Sequence, residues 1–149
     1  MDIEDLLKSL NARNVEFVII GATAFPIHGY ARATLDIDIF IRPEPKNAGR
    51  TLDALRDFGY DTAEVTVEDL LTRKVLIRQY LVETDIHPFV TGITFDHVWE
   101  NRISGTFGEE KVYYASLDDL IVMKESAGRP KDLEDLKVLK ILKEKRNKP

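Results

Sequence analysis

Asp36 and Asp38 stand one residue apart inside the apolar run LDIDIFI, residues 35 to 41. Side chains of a strand alternate faces, so Leu35, Ile37, Ile39 and Ile41 point one way and Asp36, Asp38 and Phe40 the other. The two carboxylates then share a face about 6 to 7 Å apart at the backbone, and at an effective dielectric of about 20 they repel by about 2 to 3 kcal/mol when both are ionised. A cation should sit between them. Carboxylates at i and i+2 are the minimum that holds a hard divalent ion from one strand, and Mg²⁺ takes one or two of them together with water and substrate phosphates. Mg²⁺ is therefore the expected cofactor, with Mn²⁺ as the alternative. A third acid comes from VETDIHP, where Val82, Thr84 and Ile86 alternate with Glu83, Asp85 and His87. If that strand lies beside the first, Asp85 approaches Asp36 and Asp38.

The complementary half is an anion site. Gly21 ends the apolar run VEFVII and opens the segment Gly21, Ala22, Thr23. A glycine between a strand and a helix lets backbone N–H groups approach phosphate oxygens, and a helix N-terminus favours negative charge. One glycine says little. The order of the parts says more: apolar strand, Gly21, short helix, Arg32, Thr34, then the Asp-x-Asp pair.

The elements that must position these groups follow from periodicity and caps. Ile3, Leu6, Leu7 and Leu10 have helical spacing over residues 3 to 12, and residues 15 to 20 form a β-rich run. Thr23 is placed to cap a short helix with Pro26 in its first turn and Gly29 at its end. After the strand at 35 to 41, Pro45 opens a helix whose Ala48, Leu52, Leu55 and Phe58 form one stripe, closed by Gly59. Thr66 with Asp69 is a capping box, and residues 75 to 90 read as one long strand or two with an unmarked bend. Thr94 caps a short helix through Trp99, and residues 103 to 115, with Gly105 and Gly108, make a strand or hairpin. Ser116 with Asp119 is a second capping box for LDDLIVMKESA. GRP then breaks the chain before a last helix, 131 to 145, with Leu133, Leu136, Leu139 and Leu142 set for packing. This alternation predicts an α/β or α+β fold, a mixed sheet with helices packed against it.

The chain has 149 residues, of which 44% are apolar, enough for one domain with a real core. No apolar run approaches the length of a membrane span, and MDIEDLLKSL is acidic and amphipathic where a leader would be basic and then hydrophobic. A soluble, cytoplasmic protein with no membrane partner is expected. The absence of cysteine excludes disulfides, thiolate chemistry and Cys-type zinc sites. The net charge of −5 argues against an all-over nucleic-acid binder, although Lys124 to Lys148 carries +4 and the rest −9. Cations near the end of a helix complement its dipole, which accounts for that basic stretch without phosphates.

The pattern resembles the nucleotidyltransferase superfold of DNA polymerase beta type: Gly-Gly or Gly-Ser, then about ten or more residues, Asp-x-Asp, and a later third Asp. The matching residues are GA at 21 to 22, DID at 36 to 38 and Asp85, within residues 15 to 90. HGYARATLDIDIF together with DLIVMKESAGRPKDLEDLKVL, whose helices cover about 116 to 145, is similar to small prokaryotic nucleotidyltransferases related to the toxin components of AbiE systems. The resemblance implies one nucleotidyltransferase-like domain over residues 1 to 149. It implies that Asp36 and Asp38 hold Mg²⁺ on the triphosphate of an NTP such as ATP, while Asp85 completes a second metal site that activates an acceptor hydroxyl. It makes Gly21, Ala22, Thr23, Arg32, Thr34 and Lys124 the phosphate-binding candidates, with Asp132 supporting Lys124. The acceptor stays open among RNA, a protein and a small molecule, as does base preference. Ala22 departs from the pattern by lacking the serine hydroxyl, and Thr23 is the nearest replacement.

Blander readings stand beside these. Acids on an edge strand discourage aggregation. Asp85 can be a salt-bridged surface acid, and Arg32 and Lys124 can pair with ordinary carboxylates. His28, His87 and His97 lack metal-ligand spacing, which favours structural roles, and Phe25, Tyr30, Phe89 and Trp99 read as core before nucleobase stackers. Two further function classes fit. The chain can be a weak or inactive nucleotide-binding subunit with a cognate protein partner, as in a toxin and antitoxin pair, or its acids can hold a structural cation.

Overall fold

A computed structural model describes residues 2 to 148. Its centre is a six-stranded mixed sheet: β1 (Phe17–Ile20), β2 (Asp36–Ile41), β3 (Val75–Ile77), β4 (Glu83–His87), β5 (Ile103–Phe107) and β6 (Glu110–Tyr114). Their spatial order is β3-β4-β2-β1-β6-β5. β2 runs antiparallel to β1 and parallel to β4, which places the Asp-x-Asp strand at the middle of the sheet. Register assigns the faces. Ile19 pairs with Ile39 and Ile39 with Ile86, so Ile19, Ile37, Ile39, Ile41 and Ile86 share the core face while Asp36, Asp38, Glu83 and Asp85 share the other.

Six α-helices surround the sheet: α1 (Ile3–Ala12), α2 (Pro45–Phe58), α3 (Val67–Thr72), α4 (Phe95–Glu100), α5 (Leu117–Ala127) and α6 (Leu133–Asn147). α1 and α2 pack together, inserting Leu6, Leu7, Leu10, Leu52, Leu55 and Phe58 into one apolar cluster with the strands. Burying each such side chain is worth about 1.5 to 3 kcal/mol. Thr84 is fully buried on the core face, and it tolerates that position because its hydroxyl meets that of Tyr60 at 2.8 Å. No helix among the described residues is long and apolar enough to cross a membrane.

Several local expectations change. Thr23 caps nothing: the chain makes two short 3₁₀ turns, Gly21–Ala24 and Pro26–His28, and the second ends on left-handed Gly29. Of the two readings of residues 75 to 90, the second holds: β3 and β4 are antiparallel, and the chain reverses through 78 to 82, where Tyr80 takes φ 60°. Ser116 caps α5 by accepting from the Asp119 amide, but the Asp119 carboxylate turns to His97 Nε2 at 3.1 Å, so only half of that box forms. In α6 the packing stripe is shifted. Leu133 is 62% exposed, whereas Asp135 and Leu139, four residues apart on one face, are buried.

Candidate functional site

The parallel pairing of β2 with β4 sets Asp38 directly beside Asp85 and Asp36 beside Glu83. Asp36, Asp38 and Asp85 form one wall of a cavity of about 660 Å³. The opposite wall is built by α5, the turn Pro130–Asp132 and the start of α6, and the floor by Ile20, Gly21 and Phe25.

Gly21 is required where it stands. Its φ is +70°, and a Cβ there would lie 2.7 Å from Asp38 Oδ2. The turn after β1 therefore packs directly on the second aspartate. The backbone of Asp36 is held by two threonines: Thr34 Oγ1 accepts from its N–H at 3.2 Å, and Thr23 Oγ1 donates to its carbonyl at 3.1 Å. Ala22, Arg32, Thr34, Lys124 and Asp132 all reach the cavity wall. Thr23 is buried, with its hydroxyl turned to Asp36, and is absent from the lining.

The acid wall is under-compensated. Among the described residues, no lysine or arginine forms an ion pair with Asp36 or Asp38; the partner of Asp38 is His87, with Nε2 at 2.8 Å from Oδ1. Glu83 shares a side-chain hydrogen bond with Asp36, and this contact together with desolvation pushes the Glu83 carboxyl above its ordinary pKa. Asp85 differs. Arg78 Nη1 donates to its Oδ1 at 2.6 Å and Lys74 Nζ lies 3.9 Å from its Oδ2.

The facing wall is a closed ionic network. Asp132 accepts from Lys124 Nζ at 2.9 Å and from Arg129 at 2.7 and 3.2 Å. Burial opposes its charge, but the hydrogen bonds from Arg129 and Lys124 outweigh it and hold the carboxyl at about 2. Asp135 accepts from Arg32 Nη1 at 2.6 Å and from the Tyr30 hydroxyl at 3.0 Å, with Lys124 Nζ at 3.4 Å. Arg32 and Lys124 also lie over the Phe25 ring, at 6.0 and 5.7 Å from its centroid, and Tyr30 stacks on that ring at 5.3 Å. Arg32 and Arg129 keep 42% and 52% of their side chains exposed, which leaves donors for a ligand.

The donor set fits a hard divalent ion at Asp36 and Asp38, whose carboxylates line the cavity and form no ion pair with a lysine or arginine among the described residues. At Asp85 both oxygens already face cations, Arg78 and Lys74. No three His, Asp or Glu side chains among the described residues, at Asp36 and Asp38 or at Asp85, are grouped to hold a metal.

Sequence reasoning passed over Arg78, Lys74, Arg129 and Asp135. Asp135 had a signal, since it lies i+3 from Asp132 and i−4 from Leu139, on the inner stripe of α6. Arg78 had a weaker one, a cation interrupting VLIRQYLV. Phe89, expected in the core, is 63% exposed and lines the cavity.

Residues 1 to 145 match a family described as nucleotidyltransferases of unknown function (DUF6036), and the chain belongs to that family. No curated protein matches it.

Proposed function

From that membership we propose that the chain transfers a nucleoside monophosphate from an NTP to a hydroxyl group. The observation that carries this reading is the pairing of unlike walls across one cavity: Asp36 and Asp38 on the sheet, and Arg32, Lys124, Arg129 and Lys131 facing them. An NTP has matching parts. Its phosphates suit the cationic wall, with the exposed guanidinium donors of Arg32 and Arg129 able to bind oxygens bidentately. A bound Mg²⁺ or Mn²⁺ would be held by Asp36 and Asp38 and would supply charge neutralisation on the phosphate oxygens.

The chain's own residues do the rest. Gly21 gives the triphosphate a close approach to backbone N–H groups, and Thr34 and Thr23 fix the strand that carries the acids. His87 holds one oxygen of Asp38 and so orients its carboxylate. The acceptor hydroxyl oxygen forms a bond to the α-phosphorus while the bond from that phosphorus to the pyrophosphate oxygen breaks. Pyrophosphate leaves, and the hydroxyl proton passes to a carboxylate oxygen of the sheet wall. Alignment of these groups in a fixed site is where most of the acceleration would arise.

Two measurements test the reading. Each of the four NTPs, at about a hundred times its dissociation constant with Mg²⁺, should add about 2.7 kcal/mol, a rise in Tm of about 5 to 10 °C that Asp36→Asn/Asp38→Asn loses. α-Labelled NTP should leave label on RNA, a protein or a small hydroxyl compound. If no NTP shifts the wild type, the transferase reading fails.

The turn at Ala22 favours a second reading, a nucleotide-binding subunit with little turnover that works through a cognate protein partner, as in a toxin and antitoxin pair. Ala22 has no hydroxyl, and that of Thr23 is committed to Asp36. Metal-dependent NTP binding without any labelled product would select this reading.

A further inference from the structure

Arg78 leaves β3 at the rim of the acid wall and reaches back across it. Its Nη1 donates to Asp85 Oδ1 at 2.6 Å and its Nε lies 3.7 Å from Glu83 Oε2. Lys74, at the start of the same hairpin, covers the other oxygen of Asp85 at 3.9 Å. Asp85 is 7% exposed, so this carboxylate is enclosed, and its two cations flank the strand with which it pairs. Arginine remains charged in any folded protein, which makes Arg78 a permanent positive charge beside the third acid. A divalent ion on Asp85 would have to displace that guanidinium and then bear its repulsion at close range. Asp36 and Asp38 stand in a different position: Arg78 and Arg129 act on them only at longer range, and His87 is the only titratable base in contact with either among the described residues.

Resting on the transferase reading, we propose that this site takes one divalent cation, on Asp36 and Asp38, and that Arg78 fills the place a second metal ion would occupy. Arg78 lines the cavity on the Asp85 side. There its exposed donors face the acceptor hydroxyl and the α-phosphate oxygens, whose charge grows as the phosphorus–oxygen bond forms. Asp85 acts through Arg78 as a positioning residue, fixing the guanidinium, and it ligates no metal. Lys74 supports the same arrangement from the other oxygen.

Mn²⁺ stoichiometry separates the possibilities. The full chain is titrated with Mn²⁺, free ion being read from its paramagnetic resonance signal, with and without a non-hydrolysable NTP analogue. Each variant's Tm is checked for folding. The expected pattern is that Asp38→Asn lowers the bound count by one, Asp85→Asn leaves it unchanged, and Arg78→Gln raises it by one. Adding Asp85→Asn to Arg78→Gln should abolish that gain, because the freed carboxylate is what would hold the extra ion. A merely structural Arg78 would change Tm and leave the count alone. The inference is overturned if Asp85→Asn removes an ion from the wild type, or if Arg78→Gln adds none. If Asp38→Asn also leaves the count unchanged, the metal-dependent transferase reading falls, and the single-ion proposal with it.

Discussion

The two walls of the cavity both carry buried or half-buried aspartates, yet they treat them in opposite ways. On the helical wall, Asp132 in the turn before α6 and Asp135 on α6 are each met by two cations, Lys124 shared between them, and Asp135 also takes the Tyr30 hydroxyl. On β2, Asp36 and Asp38 have no lysine or arginine partner among the described residues, and Glu83 is drawn up against Asp36. A satisfied network of charges holds helices in place. A row of acids left under-compensated at the centre of a sheet costs stability unless a ligand completes it, and such groups concentrate at functional sites. On the proposed reading, the difference makes the helical wall a fixed scaffold whose exposed Arg32 and Arg129 donors suit phosphates, and leaves the cation to the strand wall.

The largest expected effect tests the strand wall. Asp36→Asn or Asp38→Asn should lower transfer by at least about a thousandfold, equivalent to about 4 kcal/mol of barrier, while leaving Tm unchanged or slightly higher because repulsion is relieved. Initial rates and a melting curve on the same preparation check both halves. A variant that loses activity only because it unfolds would break the comparison. Removing one partner from the helical wall should do the reverse. Asp135→Ala leaves Arg32, Lys124 and Tyr30 facing a gap, and it should cost about 3 kcal/mol of stability, or about 6 to 12 °C in Tm. Denaturant melts would show it directly.

A smaller effect comes from pH. Asp132 titrates at about 2 in the fold against an ordinary 3.8, so the folded state holds fewer protons than the unfolded chain between these values. Its contribution is complete above the unfolded value and is lost as pH falls towards the folded one, a change of about 2 kcal/mol. Asp132→Asn should be less stable at neutral pH and should lack this acid limb. Asp38→Asn should keep it, since the limb belongs to the helical wall.

The strand wall is largely legible in the sequence and the helical wall only at Lys124 and Asp132, which meet at 2.9 Å, for a physical reason. Alternation by two places Asp36 and Asp38 on one face whatever surrounds them, and a parallel neighbour of the right register is enough to bring Asp85 alongside. The pairing of Arg32 with Asp135 joins residues far apart in the chain, and that of Lys124 with the same carboxylate crosses the break between α5 and α6. Local spacing carries no trace of such contacts. The leucine pattern in α6 was misleading in the same way: Leu133 fits a helical stripe, but the inner face at that end is taken by Asp135. Thr23 suggests a cap because a threonine before a helical turn usually is one. Here the turn is 3₁₀, and the hydroxyl has a better partner in the Asp36 carbonyl.

The smallest expected effect is at Gly21, where position matters more than charge. Gly21→Ala places a methyl group 2.7 Å from Asp38 Oδ2 in a backbone conformation with φ +70°. The strain in a left-handed residue that is not glycine costs about 1 kcal/mol, so Tm should fall by only a few degrees. The contacting oxygen is the tip of a side chain that can swing away, while Asp38 Cβ, 3.2 Å from the new methyl group, must also give slightly. The movement itself displaces one of the two carboxylates proposed to hold the ion. Mn²⁺ affinity should therefore fall about tenfold, roughly 1.4 kcal/mol, a larger loss than that of stability. On the helical wall a modest shift of one carboxylate is absorbed by partners that follow it. If Gly21→Ala weakens stability and Mn²⁺ binding to the same small extent, the strand wall is as forgiving as the helical one, and the distinction between scaffold and site does not hold at this turn.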